Sequence, residues 1–447
     1  MKYINAVKYI SSAPKETEQK HSHDRIVYLS ELMGGLHKRL NYIHLAGSNG
    51  KTICSALLSS VLSKSGYSVC SLNMSELSDL KDNIRHNTLP LTMDEFTEAV
   101  NAVAEACNTL KLRVAAAKES AQESGELSEE YSDVPLSLVR DELSVTPTRC
   151  EMLLLAALYF YKTHSCNICI IESYHNLSDP SLFLRPPFAA VICGAIPSND
   201  RMQIAKIKTY IRHGTNEVIS APQDSYAYKV IADTCAAAGS RFSVPVKSVL
   251  SLKQLSLIGT SFVYSDSSYR LSLCGRFQTT NAITVIETLK ALRRSGYNIP
   301  TDAEKNGIAE VRIRSRFEVI SVNPTIIADS TYKHEAVETV CESLFDFSEV
   351  TGRSLRLCLP YDIPLIQKYL EMLRARGYKI THIYTVGEAY PEGGLPSAEI
   401  EPIIFPTPKS AAKHILTDLS KNEILLVTGR YSFTDKIRNE ILKIMEF

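Results

Sequence analysis

A short apolar run, Asn41-Tyr-Ile-His-Leu-Ala46, leads directly into Gly47-Ser48-Asn49-Gly50-Lys51-Thr52. Ile53, Leu57 and Val61, with Leu58 and Leu62, then recur at helical spacing up to Lys64, and Gly66 closes the helix. A strand, a glycine-rich turn and a helix in that order leave few folds open. Consecutive backbone N–H groups of the turn point into one concavity, and the helix N-terminus adds partial positive charge. Such a cradle holds phosphate. Lys51 reaches the β- and γ-phosphates of a nucleotide in this arrangement, and the Thr52 hydroxyl ligates Mg²⁺. The loop is two residues shorter than the G-x-x-x-x-G-K-[ST] form, because Leu45 stands where its first glycine would be.

The pattern around the loop predicts an α/β chain. Apolar strands at 67–72, 167–172, 189–193 and 217–220 alternate with helices such as 149–161, which implies a parallel sheet covered on both faces. A second αβ succession begins near Val322, with strands at 325–328, 355–359, 382–386 and 424–428 and helices at 334–345 and 365–376. Two domains are expected: a P-loop parallel-sheet domain over 1–320 and a separate three-layer αβ domain over 321–447. Between Leu112 and Val145 the apolar periodicity fades. Glu119 to Asp133, rich in Glu, Ser and Gly, reads as an acidic surface loop or disordered insertion.

Charge sharpens the phosphate argument. Lys plus Arg total 49 and Asp plus Glu total 49, so the net charge is zero. No bulk field attracts a nucleic acid or an acidic membrane surface. Any anion must be held by a local device. The longest apolar stretch, Met152 to Tyr161, is too short to span a bilayer, and MKYINAVKYI lacks the apolar core of a signal peptide. A cytoplasmic setting follows, consistent with eleven cysteines that form no disulfide framework. Cys166-Asn-Ile-Cys169 lies in a predicted buried strand, where thiols serve as small apolar groups.

With the loop and its flanks in view, the chain resembles the folylpolyglutamate synthases, some with dihydrofolate synthase activity, of the Mur ligase superfamily. HDRIVYLSELMGGLHKRLN and IHLAGSNGKT resemble that family's opening; Asn83-Ile-Arg-His-Asn87 its RIR-x-N segment; and Gly275 to Ala282, GRFQTTNA, its GxHQ-x-x-NA motif. Arg314-Ser-Arg-Phe-Glu318 resembles PGRxE, and LLVTGRYSF the closing LVTGS-x-Y. The resemblance implies a central ATPase domain and a Rossmann-like lid. It also implies ATP-dependent phosphorylation of a folate-like carboxylate, then attack by an amino acid amine, that of glutamate. Implied roles are phosphate handling by Lys51 and Thr52, a magnesium on Glu172, and nucleotide contacts from Asn281, Arg316 and Asp329. Lys208 takes the place of a lysine that becomes carbamylated and so acts as an anionic metal ligand. The implied assembly is a monomer.

Several motif positions differ. The family's serine metal ligand falls at Met74, with Ser75 adjacent as the replacement. The Gly-rich segment after Glu172 is Ser-Tyr-His-Asn-Leu-Ser-Asp179, the DH pair becomes Ser198-Asn199, and DGAHNP becomes Asp329-Ser-Thr-Tyr-Lys-His334. His175 and His334 stand near these changes. Two functions remain open: an ATP-dependent carboxylate–amine ligase with a changed acceptor or amino acid, or a nucleotide-binding paralogue with a regulatory role. A phosphate-loop kinase or GTPase would want an Asp-ended strand and an N-K-x-D motif, neither of which stands out.

Overall fold

The computed structural model describes residues 1–15, 23–38, 40–47, 49–74, 77, 79–124, 129–140, 145–174, 179–197, 199–332, 334–347, 352–387 and 400–446. They form two compact units. The first combines Met1–Ser75, Asp79–Pro245 and Asn281–Gly307; the second includes Val246–Thr280 and Ile308–Phe447. This division differs from a single cut at residue 320, and packing gives the reason. Leu257, Cys274 and Phe317 share one core with Ile327, Val340 and Leu357, so the chain before 320 belongs partly to the C-terminal sheet.

The first unit is built on eight strands: β1 Tyr42–Ala46, β2 Val69–Leu72, β3 Ile84–His86, β4 Leu89–Pro90, β5 Ile168–Glu172, β6 Ala189–Ile192, β7 Glu217–Ser220 and β8 Arg241–Ser243. Their order is β4-β3-β2-β5-β1-β6-β7-β8. All neighbours pair in parallel except β2–β3 and β3–β4. Every residue of β1 and β5 is buried, as near-continuous apolar strands require when both sheet faces are covered. One core packs Tyr42, Leu72 and Ile171 with the helix Arg149–Thr163 and part of Met93–Ser124. The other packs Ala46, Ile192 and Val218 against the helices Arg201–Tyr210 and Ser225–Ala238.

The expected acidic loop is in large part helix. Met93–Ser124 runs without a break through 112–124, and Leu136–Arg140 adds a short turn. Ala115-Ala-Ala-Lys-Glu has high intrinsic helix propensity, and Val114 and Ala117 are buried, although the segment carries few large apolar residues. Residues 125–128 and 141–144 of that stretch lie outside the described residues.

The second unit holds a three-stranded antiparallel sheet, β9 Leu250–Ser256, β10 Gly259–Tyr264 and β11 Ser267–Leu271. Beside it in sequence come β12 Glu318–Val322, β13 Thr325–Asp329, β14 Ser354–Cys358, β15 Ile380–Val386, β16 Ile403–Phe405 and β17 Glu423–Thr428. These order as β12-β13-β17-β14-β15-β16, parallel except for the edge pair β12–β13. This is the Rossmann-like arrangement expected of the C-terminal part.

All eleven cysteines are free and buried, Cys166 and Cys169 among them. No helix among the described residues is long and apolar enough to cross a membrane.

One buried ion pair ties two helices of the first unit together. Arg25 Nε and Nη2 donate to Glu151 at 2.9 and 2.8 Å, while Glu151 also caps its own helix by accepting from Thr148 N at 2.7 Å. Both side chains are shielded from water. Arg25→Ala leaves the carboxylate buried without its cation, and should lower unfolding stability by about 3–5 kcal/mol. Urea denaturation followed by circular dichroism checks the loss; a change within error would show that water relieves Glu151.

Candidate active site

The site forms where three parallel strands end side by side. β1 lies between β5 and β6, with Leu45 opposite Glu172 and Ala46 opposite Ile192. The chain segments beginning at Gly47, Ser173 and Cys193 therefore leave the same edge of the sheet, the usual ligand crevice of such folds. Space there is short. Gly47 has φ +119°, and a Cβ on it would lie 2.1 Å from the Cys193 carbonyl oxygen. Gly50 has φ +83°, and its Cβ would lie 2.5 Å from Asn281 Oδ1. Only glycine meets both the left-handed backbone and the close approach. Gly50 is the residue before the helix Lys51–Lys64, and its carbonyl accepts from Cys54 N at 2.9 Å.

The loop side chains converge as expected. Lys51 is buried and its Nζ donates to the Gly47 carbonyl at 2.6 Å, closing the loop on itself. Thr52 Oγ1 donates to Glu172 Oε2 at 3.2 Å. A hydroxyl beside a buried carboxylate is a hard-oxygen donor set that suits Mg²⁺, which takes its other ligands from water and phosphate. Among the described residues no cluster of three or more His, Cys, Asp or Glu is arranged for a metal. Asn49 is exposed on the loop and Asn281 is buried beside Gly50. Ser48 and Ser75 lie outside the described residues, as do His175 and Ser198. The Cys54 thiol meets the Cys193 thiol, and that contact together with burial pushes it well up, so it stays protonated.

Behind the loop stands a polar network that motif reading does not reveal. Asp179 Oδ1 accepts from Ser181 N at 2.9 Å and Ser181 Oγ at 2.6 Å; Oδ2 accepts from Tyr174 N and Tyr210 OH, both at 2.8 Å. Ser181 Oγ also meets His44 Nε2 at 2.8 Å. Burial lowers the His44 pKa to about 4, so the imidazole is neutral at pH 7. Burial raises the Tyr210 hydroxyl, with the Asp179 charge adding to the shift.

Lys208 is not brought to this site. It is exposed on the helix Arg201–Tyr210, whereas Lys206 is buried and donates to the Tyr174 carbonyl. Two residues along a helix turn a side chain by about 200°. Ile204, Ile207 and Tyr210 face the core, and that rotation places Lys206 with them and Lys208 in water. Asn199, from the altered DH pair, is exposed as well.

Arg316 and Asp329 both lie in the second unit. Arg316 sits between Ser315 and Phe317, both in the left-handed region at φ +54° and +50°. Carboxylates hold this unusual turn: Glu318 accepts from Ser315 N at 2.8 Å, and Asp329 from Phe317 N at 2.7 Å. Arg438 clamps Glu318 with two bonds of 2.6 Å. Burial raises the pKa of Asp329, opposed by the Thr331 hydroxyl, the Arg316 charge and the backbone N–H donors of Phe317 and Thr331. Asp329 thus braces the turn that presents Arg316. His334 begins the helix His334–Phe345.

No protein-family model matches the chain. It is 23% identical over 442 residues to the dihydrofolate synthase/folylpolyglutamate synthase of Bacillus subtilis (strain 168), covering 93% of this chain and 94% of that one. The folylpolyglutamate synthetase structure from Lactobacillus casei aligns with TM-score 0.76 at 18% identity, over 99% of this chain and 100% of its own. A folylpolyglutamate synthase complexed with AMPPCP and folate aligns with TM-score 0.74 at 18% identity, over 99% and 100%. The chain is similar in sequence to folylpolyglutamate synthases over most of its length and shares their fold. Against the folylpolyglutamate synthase motifs, the phosphate loop and Glu172 come together as the resemblance implies, and Lys208 does not. His44, Asp179, Ser181, Tyr210 and Lys206 carry no short-range signature.

Gly50→Ala should weaken binding of AMPPCP by at least about tenfold, from backbone strain of roughly 1–3 kcal/mol and the clash with Asn281. Isothermal titration calorimetry measures it; undiminished affinity would mean the nucleotide does not use this loop. His44 makes a second prediction. Its folded pKa lies below the unfolded 6.5, so the unfolded chain binds more protons between these values, and stability falls as pH drops from 6.5 towards 4. The loss approaches about 3 kcal/mol. His44→Gln should flatten that acid limb in a pH series of urea melts.

Proposed function

We propose that this chain is an ATP-dependent carboxylate–amine ligase of the folylpolyglutamate synthase type, joining glutamate to a folate-like acceptor through an acyl phosphate. The observation that carries this reading is the closed constellation Gly47–Lys51–Thr52–Glu172 at three converging strand ends. The names of the relatives and their coverage of nearly the whole chain support it.

The chemistry asks for positioning and charge neutralisation more than for covalent help. Entering phosphates exchange the Gly47 carbonyl for a phosphate oxygen as the partner of Lys51 Nζ. The loop amides can donate to the same anion. Thr52 and Glu172 would hold a magnesium ion, which supplies Lewis-acid polarisation of the phosphates when bound. Asn281, beside Gly50, lies within reach of a nucleotide on the loop. Arg316, on its braced turn, is proposed as a further nucleotide contact. The acceptor carboxylate attacks the γ-phosphorus and ADP leaves; the glutamate amine then attacks the acyl carbon and releases phosphate. A monomeric, cytoplasmic enzyme completes the proposal.

Phosphate release from Mg-ATP with tetrahydrofolate or dihydropteroate and glutamate tests the reading, with mass spectrometry of the product for the added glutamyl residue. Lys51→Ala should lower the rate at least about a hundredfold, by removal of a charge from the transition state. A wild type that binds AMPPCP but releases no phosphate would favour the nucleotide-binding paralogue; release that persists in Lys51→Ala would remove the loop from the mechanism.

A further inference from the structure

We infer that the phosphate loop of this chain works with a single divalent cation, and that the ammonium of Lys206 stands as a built-in positive charge where a second cation would otherwise be held. The inference rests on the ligase reading and concerns how that site balances charge.

The resemblance implied an anionic, carbamylated lysine at Lys208 as a metal ligand. The structure disagrees at each described position that could serve. Lys208 and Asn199 are exposed. Asp179 binds the segment after Glu172 at Tyr174, and it accepts from four protein donors: Ser181 N, Ser181 Oγ, Tyr174 N and Tyr210 OH. A carboxylate offers about four lone-pair sites, so this one is filled. His44 presents Nε2 to Ser181 Oγ and is enclosed. What the structure places there instead is the Lys206 side chain, 7% exposed, with Nζ on the carbonyl of Tyr174, two residues beyond Glu172.

An ammonium has no lone pair to give a metal, and its charge repels one. It does stabilise anions. Its field, like those of Asp179, Arg212 and Lys51, bears on His44, which lies on β1 just before the loop. Lys206 is also a donor on the segment that leaves Glu172, so the same group that adds charge fixes the strand end carrying the magnesium ligand. Three positive elements then serve the site: Lys51, one cation on Thr52 and Glu172, and Lys206. A fixed ammonium needs neither bicarbonate nor a second metal.

The experiment counts cations. Mn²⁺ is titrated into the full chain at saturating AMPPCP, and free Mn²⁺ is followed by electron paramagnetic resonance. One Mn²⁺ per chain is expected for the wild type, and two for Lys206→Glu, which exchanges the repelling charge for a ligand. Lys206→Met, similar in shape and uncharged, should still bind one Mn²⁺ but hold AMPPCP at least about tenfold more weakly, through the loss of one fixed positive charge beside the site. Two Mn²⁺ on the wild type overturn the inference and leave the ligase reading intact. A ¹³C-bicarbonate carbamate resonance that vanishes in Lys206→Met does the same. If neither Mn²⁺ nor AMPPCP binds the wild type, the ligase reading itself fails and takes the inference with it.

Discussion

Everything in the candidate site depends on how closely the chain at Gly47 approaches the chain at Cys193. β1 is wedged between β5 and β6, and no side-chain carbon fits where Gly47 faces the Cys193 carbonyl. That contact sets where the turn leaves the sheet, which in turn sets where the helix Lys51–Lys64 begins. Once the helix start is placed, Thr52 falls opposite the last residue of β5, and Lys51 can curl back onto the loop. A chain of zero net charge can hold a polyanion by this means because the positive potential is made of a few amides and one ammonium.

The network behind the loop gives this geometry its rigidity. Asp179 gathers donors from its own turn, from Tyr174 and from Tyr210 on the neighbouring helix, and Ser181 passes the connection to His44 on β1. A first layer of functional groups held by a second, fully bonded layer is what precise positioning requires. The neutral state of His44 belongs to the same design, since burial disfavours a charged imidazole there, and Arg212, Lys206 and Lys51 add to that against the opposing charge of Asp179. In the second unit a comparable device appears on a smaller scale, where Glu318 and Asp329 hold two left-handed residues on either side of Arg316.

Much of this was legible before any coordinates. The apolar strands 167–172, 189–193 and 217–220 match β5, β6 and β7 closely, because strands buried on both faces have a nearly unbroken apolar signature. The phosphate loop was legible because its chemistry is local: a turn, a helix start, and two side chains adjacent to both. Lys208 was misplaced because its weight lay in alignment, and a shift of two helical residues exchanges core for solvent. The helix through 112–124 was hidden for a related reason. Its apolar face is made of alanine and a single valine, too small to register as a periodic stripe.

The sequence by itself determined the α/β class, the glycine-rich loop with Lys51 and Thr52, and the resemblance of the whole chain to one family. These rest on interactions among neighbours in sequence or on burial patterns that any observer can count along the chain. The tertiary structure alone decided that Thr52 meets Glu172, that Lys206 rather than Lys208 is buried, that Asp179 is consumed by four protein donors, and that residues 246–280 belong with the C-terminal sheet. Those outcomes depend on helix rotation and on contacts between residues far apart in the chain, and neither is written in any short stretch of residues.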